Sequence, residues 1–198
     1  MKIYGDLNSG NCLKVKWACD ILKRPYTWVD IDTTKGQSRT PEFLAMNPAG
    51  QVPVVELDDG RALSQSNAII RYLAKGTALI PAGDYAAAKM DEWLFWEQYS
   101  HEPYVAVCRF MMVYLKKDVS ELDSDKVKRG YAALARMEHQ LAETRYLTGD
   151  SFTLADIALL AYTRVAHEGG FHLEGYSALR RWIRDGETVL GLPPVARA

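Results

Sequence analysis

An α/β unit followed by an all-helical one is the fold class the sequence predicts, and three observations predict it. Up to residue 76, short apolar runs alternate with helical patterns. From Gly76 to Asp84 the composition shifts to Gly, Pro and Ala. Beyond that stretch only long helical periodicities remain. The expected organisation is therefore one domain over 1–76, a linker over 77–84 and a helical domain over 85–198.

The elements follow in order. Lys2-Ile3-Tyr4-Gly5 is a short strand, and the polar loop Asp6 to Asn11 feeds a helix expected from about Cys12 to Leu22. A thiol held at that helix start would meet its dipole and N–H groups, the setting that lowers a thiol pKa from about 8.5. Ser9 is placed to donate to such a thiolate, and Asn11 offers its amide N–H₂ for the same purpose. A shift of roughly two units corresponds to about 2.7 kcal/mol in favour of the anion. Cys12, three residues after Ser9, either faces the core or reaches the bound thiol. Ser9 also has a plainer reading as the N-terminal cap of the helix.

In Asn47-Pro48-Ala49-Gly50-Gln51-Val52-Pro53-Val54-Val55, Pro53 stands where an apolar run becomes a strand, a place proline takes only at an edge or a start. With a cis bond there, the backbone of Val52 would face outward and pair with an added peptide strand. Asp58-Asp59-Gly60 supplies hairpin turn chemistry. Gln65-Ser66 then opens an amphipathic helix with Ile69, Ile70 and Leu73 on one side, and a helix start carrying a small hydroxyl suits a carboxylate. Together these features describe a receptor for a short peptide with a carboxylate.

In the second region helical periods run over about 85–117, 124–145, 154–168 and 177–188. Trp93, Trp96, Tyr99, His101, Tyr104, Cys108 and Arg109 crowd the first of them, and Pro103 should bend it. His101, Tyr104 and Cys108 stand three and four apart, a spacing that gives one face of an α-helix. Trp93 and Trp96 also read as packing, and Cys12 and Cys19, seven apart, as small buried apolar groups. In Ser151-Phe152-Thr153-Leu154-Ala155-Asp156-Ile157, Thr153 and Asp156 form a capping-box pair, with Phe152 expected against Ile157.

Composition narrows the function classes. With 24 Lys and Arg against 25 Asp and Glu the net charge is −1, which argues against nucleic acid as a partner. No run approaches the roughly 18 apolar residues of a spanning helix. The three cysteines show neither C-x-x-C nor zinc spacing, so no metal is implied and a reducing, cytoplasmic setting is expected.

Nearly the whole chain resembles the glutathione transferase family, on Asn8-Ser9-Gly10-Asn11-Cys12, Val52-Pro53, Gln65-Ser66 and the Thr153/Asp156 motif. The resemblance implies a thioredoxin-like first domain in β-α-β-α-β-β-α order, an all-helical second domain, and a bacterial serine-type (theta/beta-like) member. It implies glutathione as co-substrate, conjugated to a small hydrophobic electrophile. Ser9 and Asn11 would activate the thiol. Gln51, Val52 and Pro53 would hold the cysteinyl backbone, and Gln65 and Ser66 the γ-glutamyl carboxylate. Lys35 or Arg39 would meet the glycine carboxylate, in place of the histidine common in serine-type members. His101, Tyr104 and Cys108 would border the electrophile site, and the chain would form a homodimer. Other outcomes on the same scaffold are a glutathione-dependent isomerase, peroxidase, dehalogenase or thiol-disulfide reductase, or a non-catalytic binding protein. A reductase would need a nucleophilic cysteine at the active loop.

Overall fold

The computed structural model describes residues 1–195, so the last three positions of the expected 85–198 domain lie outside the described residues. The chain divides between Thr77 and Ala78 into two compact units.

The first unit runs β1 (Lys2–Gly5), α1 (Gly10–Ile21), β2 (Thr27–Asp30), α2 (Pro41–Met46), β3 (Val54–Glu56), β4 (Ala62–Ser64) and α3 (Ser66–Leu73), with two short 3-10 turns before α2. Its four strands order as β2-β1-β3-β4; β1 pairs parallel with β2, and β3 antiparallel with both β1 and β4. This matches the order expected from the sequence. Helix α1 starts two residues earlier than its apolar pattern, at Gly10. It buries Cys12, Val15, Trp17, Ala18 and Cys19 and packs along α3, which buries Ile69, Ile70 and Leu73. Gly5 is required by a close approach: a Cβ there would stand 2.9 Å from the Trp28 ring and 3.0 Å from Cys12 Sγ. Thr40 caps α2 by accepting from Phe43 N at 3.3 Å, with Pro41 in the first turn where no N–H is missed.

The second unit holds α4 (Asp84–Trp96), a π-helical run (Glu97–Ala106), α5 (Val107–Val113), α6 (Ser124–Glu143), α7 (Leu154–Thr163) and α8 (Ser177–Val189). All ten residues of α7 are buried, so this helix is the centre of the unit. Its start is fixed by Asp156, which accepts from Thr153 N at 2.8 Å, Thr153 Oγ1 at 3.1 Å, Leu147 N at 3.0 Å and Trp182 Nε1 at 2.8 Å. Burial pushes the Asp156 carboxyl pKa up, while these hydrogen bonds favour the anion. The capping box is therefore an anchor for a loop and for α8 as well. Phe152 packs edge-on to Tyr146, ring centroids 5.5 Å apart.

Pro103 sits inside the π-helical run. Where an α-helix would lose a hydrogen bond to the missing N–H, the chain widens to i→i+5 pairing over ten residues. At this proline the structure shows a change of winding. Before it, Trp93 and Trp96 meet edge-on at 5.1 Å and 85°, with the Arg136 guanidinium 5.0 and 4.7 Å from the two rings.

Replacing Asp156 with Ala would strand several buried donors at once. The expected cost is roughly 3–5 kcal/mol, read as a lower urea midpoint at unchanged slope. A loss below about 1 kcal/mol would show that Asp156 is not the anchor described.

Candidate functional site

Sheet topology brings the sequence motifs of the first unit together. β1, β2 and β4 run one way and β3 the other, with Tyr4 opposite Val54 and Val54 opposite Ser64. The chain leaving β1 toward α1, the chain leaving β4 into α3, and Val52-Pro53 entering β3 therefore all lie at one end of the sheet. Ligands of α/β units gather at this kind of end, where helix N-termini point their N–H groups outward.

At the start of α1, Ser9 occupies the N-cap position with extended backbone (φ −83°, ψ 119°) and its own N–H donates to Asp6 O at 3.0 Å. Its side chain makes no capping hydrogen bond, so the plain capping reading accounts for its position and not for its hydroxyl. Cys12 is fully buried and its Sγ accepts from Asp6 N at 3.4 Å. Burial pushes this thiol up to about 11, only partly offset by hydrogen bonds from Asp6 N and the Ser9 side chain. Cys12 faces the core, and the alternative of reaching a bound thiol is not its placement.

Asn11, half-buried, is the junction of the site. Its Oδ1 accepts from Lys14 Nζ at 2.8 Å and from Ser66 Oγ at 3.0 Å. An ammonium carries donors only, so Lys14 fixes which end of the amide faces it. The single hydroxyl proton of Ser66 is directed at the same oxygen. Ser66 is buried at the first position of α3, and the sharp entry to the helix is made by Gln65 at φ +69°, ψ 108°. A non-glycine residue in that region costs on the order of 1–3 kcal/mol, which surrounding structure must offset.

The Val52–Pro53 peptide is cis, as the sequence reading expects. Pro53 is buried and Val52 half-buried. The loop before it is pinned by Asn47, whose Nδ2 donates to Gln51 O at 2.8 Å. Gln51 itself is exposed. The two cations considered for the glycine carboxylate differ in placement. Arg39 Nη1 donates to Ala49 O at 3.0 Å, and a Cβ at Gly50 would stand 2.8 Å from Arg39 Cζ, so the guanidinium lies on the loop leading to Val52. Lys35 is exposed and paired with Asp32 at 3.1 Å. Hydrogen bonds from Thr34 and Lys35 hold the Asp32 carboxyl down at about 2.

The expected electrophile residues lie in the second unit and differ in burial. His101 is fully buried, with Nε2 3.0 Å from Thr163 Oγ1, and Cys108 is fully buried as well. Tyr104 is half-buried and its hydroxyl accepts from Arg129 Nη1 at 3.1 Å. His101 and Tyr104 lie in the π-helical run, which has more residues per turn than an α-helix, and Cys108 lies in α5. Sequence reasoning missed Lys14, which looks like any lysine of an amphipathic helix yet is fully buried. Among the described residues no cluster of three or more His, Cys, Asp or Glu side chains is arranged to hold a metal ion, and no helix is long and apolar enough to cross a membrane.

Comparison with known proteins gives this arrangement its family. The glutathione S-transferase N-terminal domain model matches residues 8–75, and the C-terminal domain model residues 124–185. Glutathione S-transferase 3 of Zea mays is 34% identical over 165 residues, covering 79% of this chain and 73% of its own length. Glutathione S-transferase GST-4.5 of Xanthomonas campestris is 29% identical over 205 residues, 97% of each chain. Among solved structures, a glutathione S-transferase from Pseudomonas fluorescens Pf-5 superposes with a TM-score of 0.94 at 43% identity, covering 98% of both chains. With the two helix starts, the cis-proline loop and the capping-box helix all in place, the chain belongs to the glutathione S-transferase family.

Proposed function

We propose that this protein binds glutathione at the shared end of the first unit's sheet and conjugates its thiolate to small hydrophobic electrophiles. The observation that carries the reading is the Asn11 junction, which ties the start of α1 to the start of α3 and so sets a thiolate position and a carboxylate position in one site. The γ-glutamyl carboxylate meets the N–H groups at Ser66, beside Gln65. The cysteinyl backbone pairs with Val52, flanked by Gln51 and Pro53. The glycine carboxylate meets Arg39 in preference to Lys35, because Arg39 already lies on the Val52 loop while Lys35 is engaged by Asp32.

Ser9 and Asn11 then serve the sulfur. The thiol proton leaves to solvent, Ser9 O–H and the α1 N-terminus stabilise the thiolate, and the sulfur forms a bond to the electrophilic carbon as the leaving group departs with its electron pair. No step needs more than positioning and anion stabilisation. A serine whose hydroxyl is not spent on capping supports the bacterial serine-type (theta/beta-like) assignment. Of the three electrophile candidates, Tyr104 keeps partial exposure and is favoured; His101 and Cys108 would act from beneath, by packing. A cytoplasmic setting is supported by three buried cysteines, none in a disulfide. Homodimerisation is supported by Tyr85, Phe95 and Tyr99, which stand 80%, 77% and 83% exposed along α4 and the π-helical run.

Two measurements test this reading. Calorimetry should show glutathione binding at or below millimolar concentration, and Ser9→Ala should lower turnover about tenfold to a hundredfold near neutral pH, the equivalent of one hydrogen bond to an anion of roughly 1.5–3 kcal/mol. Absence of binding, or a Ser9→Ala enzyme with unchanged turnover and thiol pKa, would overturn the assignment.

Cys12 separates conjugation from disulfide reduction. With its thiol near 11, the reactive anion is scarce at neutral pH and grows only as pH climbs toward that value. Alkylation of the native protein at pH 7.5 should leave Cys12 unmodified, and Cys12→Ala should keep conjugating activity. Capture of Cys12 as a mixed disulfide with glutathione under native conditions would favour the reductase.

Sedimentation at micromolar concentration should give about twice the 22.3 kDa chain mass. Phe95→Glu should shift it toward the monomer. A wild-type monomer would remove the dimer from the proposal.

A further inference from the structure

The sequence assigns Lys14 no role, and the site as described does not use it directly. It is nonetheless a fully buried lysine in the first unit, placed one turn inside α1, with its ammonium 2.8 Å from Asn11 Oδ1. Burying an ammonium costs several kcal/mol unless hydrogen bonds compensate. A leucine or methionine would serve the core at lower cost, so the ammonium group needs an explanation beyond packing.

We propose that Lys14 is a positioning residue for the glutathione site, acting through Asn11 on Ser66; the inference rests on the glutathione-binding reading given above. The geometry is a short relay: Lys14 Nζ donates to Asn11 Oδ1 at 2.8 Å, and Ser66 Oγ donates to the same oxygen at 3.0 Å. Because Lys14 has donors only, it excludes the flipped amide, in which Asn11 N–H₂ would face the ammonium and donate to Ser66. Two consequences follow. The Ser66 hydroxyl is held in one orientation at the start of α3, where the carboxylate binds. The Asn11 amide, polarised by a charged donor on its oxygen, becomes a stronger N–H donor at the start of α1, where the sulfur binds. One buried cation therefore sets the hydrogen-bond direction at both ends of the bound peptide without touching it.

The test is a double-mutant cycle on glutathione affinity, read by calorimetry on full-length protein. Lys14→Met removes the donor at nearly constant volume and should raise the glutathione Kd about tenfold. Asn11→Ala should do the same, and Lys14→Met/Asn11→Ala should bind no worse than the weaker single variant. Lys14→Arg, which keeps a charged group with donors only, should return the Kd to within about threefold of wild type. Additive losses in the cycle, wild-type affinity in Lys14→Met, or no recovery in a folded Lys14→Arg would each overturn the proposal. So would a failure of both Lys14 variants to fold, since the residue would then serve the core. A wild-type protein that binds no glutathione is a different result, because it removes the underlying reading before Lys14 is tested.

Discussion

The reversed direction of one strand, β3, is the constraint on which the candidate site depends. With β1 and β4 parallel to each other and β3 antiparallel between them, the exits of β1 and β4 and the entry to β3 share an end of the sheet. Three segments far apart in the chain, around residues 9, 52 and 66, are thereby delivered to one place. No side-chain contact is needed to gather them. Hydrogen bonds then set the details: Asn47 on Gln51, Arg39 on Ala49, and Ser66 on Asn11.

In each unit a fully buried charged group is met by directional partners. In the helical unit Asp156 gathers four donors from a loop, a helix start and Trp182. In the first unit Lys14 addresses the amide that joins α1 to α3. In both cases burial makes the polar group expensive to misplace, and that expense is what gives geometry a single solution. Gln65 belongs to the same economy of strain, holding a left-handed backbone so that α3 can begin one residue after β4.

Much of this was legible because the signals are local and chemical. Proline at a strand entry, Gln-Ser before an apolar helical pattern, and Thr with Asp three residues on each name their backbone conformation directly. Ser9 could be placed at the mouth of α1 for the same reason. What escaped depends on tertiary context. Lys14 has the helical spacing of a surface lysine, and tertiary packing leaves it fully buried. Lys35 and Arg39 carry the same charge, and their difference lies in which loop each leans on. The π-helical winding around Pro103 is invisible to a 3.6-residue period.

The perpendicular contact of Trp93 with Trp96 has an optical consequence. Two indoles 5.1 Å apart and inclined at 85° are close enough for their strong ultraviolet transitions to mix, and a rigid chiral pair of that kind produces a paired positive and negative circular-dichroism band. Trp17 and Trp28 belong to the other unit, so this couplet belongs to the helical unit alone. The protein thus carries an intrinsic chromophore for following its second unit, independent of any added label.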